Sequence, residues 1–250
     1  MSDIHLYTAQ TPNGIKVSIL LEELGLKYKT TAIDISKNTQ KEPWFLEINP
    51  NGRIPALTDT FTDGQPIRLF ESGSIMQYLV DRYDKDHKVS YPQGSREYYQ
   101  TNNWLHWQMA GLGPMQGQSN HFTRYAPEKI EYGMNRYQNE TRRLYRVMDT
   151  QLGKTKAYLV GDKCTIADIA CWGWVASHRW AGIETLDDFP NLNAWLERML
   201  ARPGVEAGRH VPSPHKAFEM KKLSKEELDK HAAESAKWVQ QGMAEDAKKK

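Results

Sequence analysis

A chain of 250 residues with 33 Lys and Arg against 31 Asp and Glu carries a formal net charge of +2, too near neutrality for electrostatically driven nucleic-acid binding. Two cysteines cannot build a disulfide framework, the spacing of Cys164 and Cys171 is neither a redox pair nor a zinc motif, and no His spacing suggests a metal. With neither a secretion signal nor an apolar run long enough to cross a bilayer, the expectation is a cytoplasmic protein of one large or two ordinary domains, without a membrane partner.

Ile4-His5-Leu6-Tyr7 alternates as a strand does. Thr11-Pro12-Asn13-Gly14 follows, and apolar positions at Ile15, Val17, Leu20, Leu21 and Leu24 predict a helix ending at Gly25. Tyr28 to Ile33 reads as a second strand, and Trp44 to Ile48 as a helical piece. Two short apolar runs, Ala56 to Thr58 and Ile67 to Phe70, flank the hairpin signal Asp63-Gly64. Glu71-Ser72 then opens Ile75, Met76, Leu79 and Val80 at helical spacing. The order β-α-β-α-β-β-α over residues 1–86 is that of a thioredoxin-like domain.

In that fold a redox enzyme carries Cys-x-x-Cys at the end of the first strand, whereas Thr11-Pro12-Asn13-Gly14 holds the place here. Donors aimed at a sulfur favour thiolate over thiol, and Thr11 and Asn13 offer a hydroxyl and an amide. Residue chemistry alone leaves Asn13 evenly between this role and a helix cap. A cis Ile54-Pro55 bond would expose the Ile54 backbone to an extended peptide, although only about 5% of X-Pro bonds are cis. A helix start at Ser72 is a receptor for a carboxylate. Taken singly, Glu71 is an acid favourably placed at a helix start and Arg53 a solvated charge.

The charged stretch Asp81 to Gly94 ends this domain, with residues 87–94 as the linker. Over 95–210 helical periodicity takes over, giving an all-helical block. Tyr98, Tyr99, Trp104, Leu105, Trp107 and Met109 predict an aromatic-rich helix interrupted at Gly111-Leu112-Gly113-Pro114. Ile130, Met134, Tyr137, Thr141, Leu144 and Met148 predict a long one that also contains, and so discounts, the sequon Asn139-Glu140-Thr141. Thr165-Ile166-Ala167-Asp168 reads as a capping box. The helix behind it is so apolar that Asp168 is assigned a structural role, not a catalytic one. Leu192, Trp195, Leu196 and Met199 mark a final helix closed by Arg202-Pro203-Gly204. Trp104, Trp107 and Phe122 are read as core or as walls of an apolar acceptor pocket. In the tail, 211–250, Ser224 to Glu227 can cap a helix, but the face Leu228, Ala232, Val239, Met243 is thin. The expectation is a solvated or loosely docked helix ending in disordered Lys248-Lys249-Lys250, with no assigned function.

The ordered combination Asn49-Pro50-Asn51-Gly52-Arg53-Ile54-Pro55, then Glu71-Ser72, resembles the glutathione transferase superfamily, and the resemblance spans nearly the whole chain. Thr11-Pro12-Asn13-Gly14 with Leu21-Glu22-Glu23-Leu24, and Gln118-Ser119-Asn120-His121-Phe122 with Arg136-Tyr137, resemble its bacterial nu class and fungal nitrogen-regulator-like branch. The resemblance implies a thioredoxin-like domain followed by an all-helical one, paired as a homodimer. It implies glutathione as co-substrate, no metal, and disulfide reduction as the leading activity beside peroxide reduction and conjugation. By it, Asn13 and Thr11 contact the sulfur, the Ile54-Pro55 backbone the cysteinyl part, Glu71 and Ser72 the γ-glutamyl end, and Gln40 and Arg53 the glycine end. Arg136, Tyr137, Trp107 and Phe122 would face a second glutathione or another acceptor. The other function class is a non-enzymatic glutathione-binding regulator. The long Asn/Gln-rich extension of the yeast regulator of this branch is not seen ahead of the first strand.

Overall fold

A computed structural model describes residues 3–220 and 222–248. Among them four strands form one sheet in the order β2-β1-β3-β4: β1 His5–Thr8, β2 Lys29–Ala32, β3 Ala56–Thr60 and β4 Pro66–Phe70. β1 runs parallel to β2 and antiparallel to β3, and β3 and β4 form an antiparallel hairpin. The crossover from β1 to β2 is α1, Gly14–Glu23, and β4 leads straight into α3, Ser72–Tyr83, with the single turn α2, Pro43–Leu46, between β2 and β3. Leu6 and Leu57 are register partners, both fully buried on the face covered by α1 and α3. The other face carries a small cluster of Ile33, Phe45 and Ala56.

The helical block begins with α4, Arg96–Trp107, and α5, Gly113–Asn120. The expected interruption between them is a π segment over Gln108–Leu112 through which the chain stays helical. Pro114 lies in the first turn of α5 and breaks the hydrogen-bond ladder there, where the π segment hands over to α5. A second π turn, His121–Tyr125, precedes the long α6, Glu131–Thr155. The buried α7, Ile166–Ala176, follows, then α8, Pro190–Leu200. Arg202-Pro203-Gly204 does not close the bundle: Pro203 opens another helix, α9, Pro203–Gly208. That helix packs so closely on α1 that a Cβ on Gly208 would come 2.4 Å from the Ile19 Cα. Ser18 Oγ donates to the Gly208 carbonyl at 2.7 Å, and Arg202 grips Glu23 with two hydrogen bonds of 2.9 and 2.7 Å. The first helix is thereby held between sheet and bundle.

The tail forms the expected capped helix and is docked rather than solvated. After the short α10, Ala217–Met220, comes α11, Lys225–Ala247, started by a reciprocal box in which Ser224 Oγ accepts from Glu227 N and Glu227 Oε2 accepts from Ser224 N. It is docked, with Leu228 and Ala232 buried. Its thin apolar face is supplemented by polar anchors at both ends. Lys249 and Lys250 of the expected disordered end lie outside the described residues. No described helix is long and apolar enough to cross a membrane.

Candidate active site

The site starts where β1 turns into α1. A Cβ on Gly14 would lie 2.1 Å from the Ala9 carbonyl oxygen, so only glycine lets the helix begin this close to the strand. Thr11 Oγ1 accepts from Gly14 N at 3.0 Å and so does the capping. Asn13 occupies the N-cap position, yet its side chain makes no cap hydrogen bond. Its Oδ1 accepts instead from Trp174 Nε1 at 3.1 Å. An indole nitrogen can only donate, so this bond fixes which way the amide faces and leaves its NH2 group to a ligand. Trp174 reaches Asn13 because Gly173 permits α7 to approach: a Cβ there would meet Ile15 Cδ1 at 2.9 Å and the Pro12 carbonyl oxygen at 3.1 Å.

Opposite lies the stretch before β3. Asn49, buried, donates through Nδ2 to the Arg53 carbonyl at 2.6 Å and accepts from Asn51 N at 2.9 Å, fixing the loop that presents Arg53. The Ile54–Pro55 peptide is cis. At the third corner Glu71 takes a φ of 65°, in the left-handed region that residues other than Gly or Asn seldom enter, and so turns the chain from β4 into α3. The adjacent Ser72 is buried.

Beneath these corners sits a group that periodicity does not announce. Lys16, 1% exposed, donates to Gln108 Oε1 at 2.6 Å and to Ser72 Oγ at 3.2 Å. Burial lowers its pKa to about 7, against the weaker opposing pull of Cys171 and Glu71.

Two adjoining cavities open here. The smaller, about 430 Å³, runs from Thr11 and Asn13 past Asn49, Arg53, Ile54 and Pro55 to Glu71 and Ser72. The larger, about 670 Å³, lies toward the bundle and is lined by Lys16, Gln108, Pro114, Tyr125 and part of α11. Asn13, Gln40, Arg53, Glu71, Met109, Trp174 and Trp238 border both, which makes their junction the place where groups bound on either side meet. Two buried polar atoms without a partner, Gln40 Oε1 and Gln108 Nε2, belong to residues lining these cavities. Such orphans cost about 1–3 kcal/mol each unless a ligand satisfies them.

Comparison with known proteins places this geometry. Residues 2–81 match the family model "Glutathione S-transferase, N-terminal domain" and residues 113–203 its C-terminal counterpart. The disulfide-bond oxidoreductase YfcG of Escherichia coli is 43% identical over 204 residues, covering 81% of this chain and 92% of YfcG. The chain belongs to the glutathione S-transferase family. A glutathione transferase homologue from Lodderomyces elongisporus, solved with two glutathione molecules per subunit, superposes with a TM-score of 0.80 at 47% identity, covering 84% of this chain and 99% of that one. The transferase URE2P6 of Phanerochaete chrysosporium, in complex with oxidised glutathione, gives 0.76 at 39% identity, covering 88% and 96%.

In this transferase the residues expected to hold glutathione, Thr11, Asn13, Gln40, Arg53, Ile54, Pro55, Glu71 and Ser72, border one cavity. The four expected on the acceptor side do not line it. Phe122 stacks on Tyr137 with ring centroids 5.4 Å apart and fills the space a Cβ on Gly133 would need. Trp107 packs edge-on against Trp104, and Arg136 is exposed on α6. The walls present are Trp174, Tyr125, Met109 and Trp238. Cys164 and Cys171 are both buried, and burial pushes both thiols well up.

Proposed function

We propose that this transferase binds glutathione across the smaller cavity, holds its sulfur as thiolate, and reduces disulfides with it. The observation that carries the reading is the Trp174–Asn13 hydrogen bond, which commits an amide NH2 to a helix start that holds no cysteine. In this reading Asn13 and the Thr11 hydroxyl donate to the sulfur, aided by the α1 N-terminus. Lowering a thiol pKa by one unit needs only about 1.4 kcal/mol, within reach of one charge-assisted hydrogen bond. The Ile54 backbone pairs with the cysteinyl unit, Glu71 takes the γ-glutamyl amine, and Ser72 with the first turn of α3 takes its carboxylate. Gln40 and Arg53 receive the glycine end. An acceptor disulfide enters the larger cavity, where the glutathione sulfur attacks one of its sulfurs and the S–S pair leaves on the other as thiolate, which solvent protonates. A second glutathione cleaves the mixed disulfide, so that two glutathiones become one glutathione disulfide and two thiols are released. The naming of YfcG as a disulfide-bond oxidoreductase, and the relatives solved with two glutathiones or the oxidised form, support this order. Asn13 carries no basic group, so conjugation of aryl halides is slower than disulfide exchange.

A side-by-side assay with a small mixed disulfide, a peroxide and an aryl halide tests the reading. The disulfide should turn over fastest. Asn13→Ala should lower kcat about a hundredfold, the lower end of what loss of one preorganised donor costs, while Glu71→Ala should chiefly raise KM for glutathione. Absence of calorimetric affinity for either reduced or oxidised glutathione at millimolar concentration overturns it. The protein pairs as a homodimer in this reading, which light scattering checks.

A further inference from the structure

The helix α11 lies beyond residue 203, where the family match ends, yet it forms part of the site. Three polar anchors place it. Arg124 Nη1, on the π turn before α6, donates to Asp229 Oδ1 at 2.6 Å; Gln240 Nε2 donates to the Tyr125 carbonyl at 2.8 Å; and Asn38 Nδ2, from the thioredoxin-like domain, donates to Glu245 Oε2 at 2.8 Å. The helix is therefore pinned to the bundle at its start and middle and to the sheet domain at its end. Its intervening face, Trp238, Val239, Gly242 and Met243, recurs at helical spacing and closes the larger cavity. Trp238 also borders the smaller cavity, beside Asn13 and Trp174. It thus stands at the junction of the two cavities.

We propose that α11 completes an apolar subsite on the acceptor side and that Trp238 determines specificity there, favouring disulfide substrates with an aryl or extended alkyl group next to the reacting sulfur and binding glutathione thioethers that carry the same groups. The inference rests on the glutathione site proposed above. The polar half of the larger cavity, Lys16, Lys41 and Gln108, lies on the other elements, whereas Trp238, Val239 and Met243 face it with indole, isopropyl and thioether surface. A planar ring sandwiched between Trp238 and Trp174 gains contact that a hydroxyethyl group cannot make.

Two measurements on the full chain test this. Calorimetry should show S-benzylglutathione binding at least tenfold more tightly than glutathione to the wild type. Trp238→Ala should erase most of that margin, read as the ratio of the two affinities, and Trp238→Phe should restore most of it. In turnover, the benzyl 2-hydroxyethyl disulfide should lose about tenfold in kcat/KM on Trp238→Ala, whereas bis(2-hydroxyethyl) disulfide changes less than twofold. Equal losses on both ligands, or no loss on either, overturn the assignment, because Trp238 would then serve the fold alone or nothing. If neither disulfide turns over but the binding margin depends on Trp238, the subsite stands and the reductase reading falls.

Discussion

The starts of α1 and α7 have the same layout and opposite uses. In α7 the N-cap is Thr165 and the third helical residue Asp168; in α1 those places are held by Asn13 and Lys16. Asp168 reaches back to accept from Thr165 N at 3.0 Å, and accepts further from Leu159 N and Trp195 Nε1, both at 2.9 Å. The acid has the sign a helix N-terminus favours, and that helix start is closed. Lys16 has the opposite sign, cannot return to the cap, and turns instead to Ser72 and Gln108. The α1 start is left open on its ligand side, with the Asn13 amide steered outward by Trp174. A helix that spends its polar groups on itself builds the fold, and one that withholds them builds a receptor.

The comparison breaks most visibly at Asp168. Replacing it with alanine strands buried donors on Leu159, Thr165 and Trp195 and should destabilise the protein by about 3–5 kcal/mol. Thermal melting would show this as a drop of roughly 10 °C, with KM for glutathione in the surviving folded fraction unchanged.

Lys16 tests the other helix through pH. Its pKa is lowered to about 7 in the folded chain, against about 10.4 when unfolded. Between these values the unfolded state binds more protons, so stability rises with pH, by at most about 1.4 kcal/mol per unit. The stability difference between wild type and Lys16→Met, from urea titrations at several pH values, should therefore shift toward the wild type from pH 7 to pH 10. It should be flat below about pH 6.5. A pH-independent difference would mean that Lys16 keeps its unfolded pKa in the folded chain and stays charged there.

The smallest effect, and the sharpest, is at Trp174. Trp174→Phe keeps an aromatic but smaller side chain and removes the N–H that orients Asn13. Disulfide turnover should fall about tenfold in kcat, a larger change than that in KM for glutathione, with melting lowered by the small void that phenyl leaves in place of indole. An unaltered kcat would separate Asn13's role from its orientation.

These contrasts explain what sequence reading reached. The sheet, its crossover helix and the Thr165–Asp168 box lie in short-range patterns, where alternation, spacing and caps act within a few residues. The residues bordering the smaller cavity are nameable because the ordered motifs that hold them resemble those of the glutathione transferases; taken singly, none of them announces a ligand. Lys16 was missed because it interrupts an apolar run by a single residue; the available signal was that Gly14 to Leu21 leaves no polar face on which a charge could reach water. Trp174 was hidden in a helix with no polar side to distinguish it. Phe122 and Trp107 were placed on the acceptor side by composition, but aromatic content does not reveal direction, and each turns to another aromatic ring. The tail was undervalued because its apolar stripe is short, and its anchors, Arg124 and Asn38, lie more than a hundred residues away in sequence.

The burial of both cysteines has one more consequence. A catalyst of thiol exchange works among mixed disulfides that modify any accessible protein thiol. With Cys164 and Cys171 enclosed and kept protonated, this chain offers those reagents no foothold. It can cycle through an oxidising burst without being capped by its own product, and alkylating agents that silence cysteine-based reductases should leave it working.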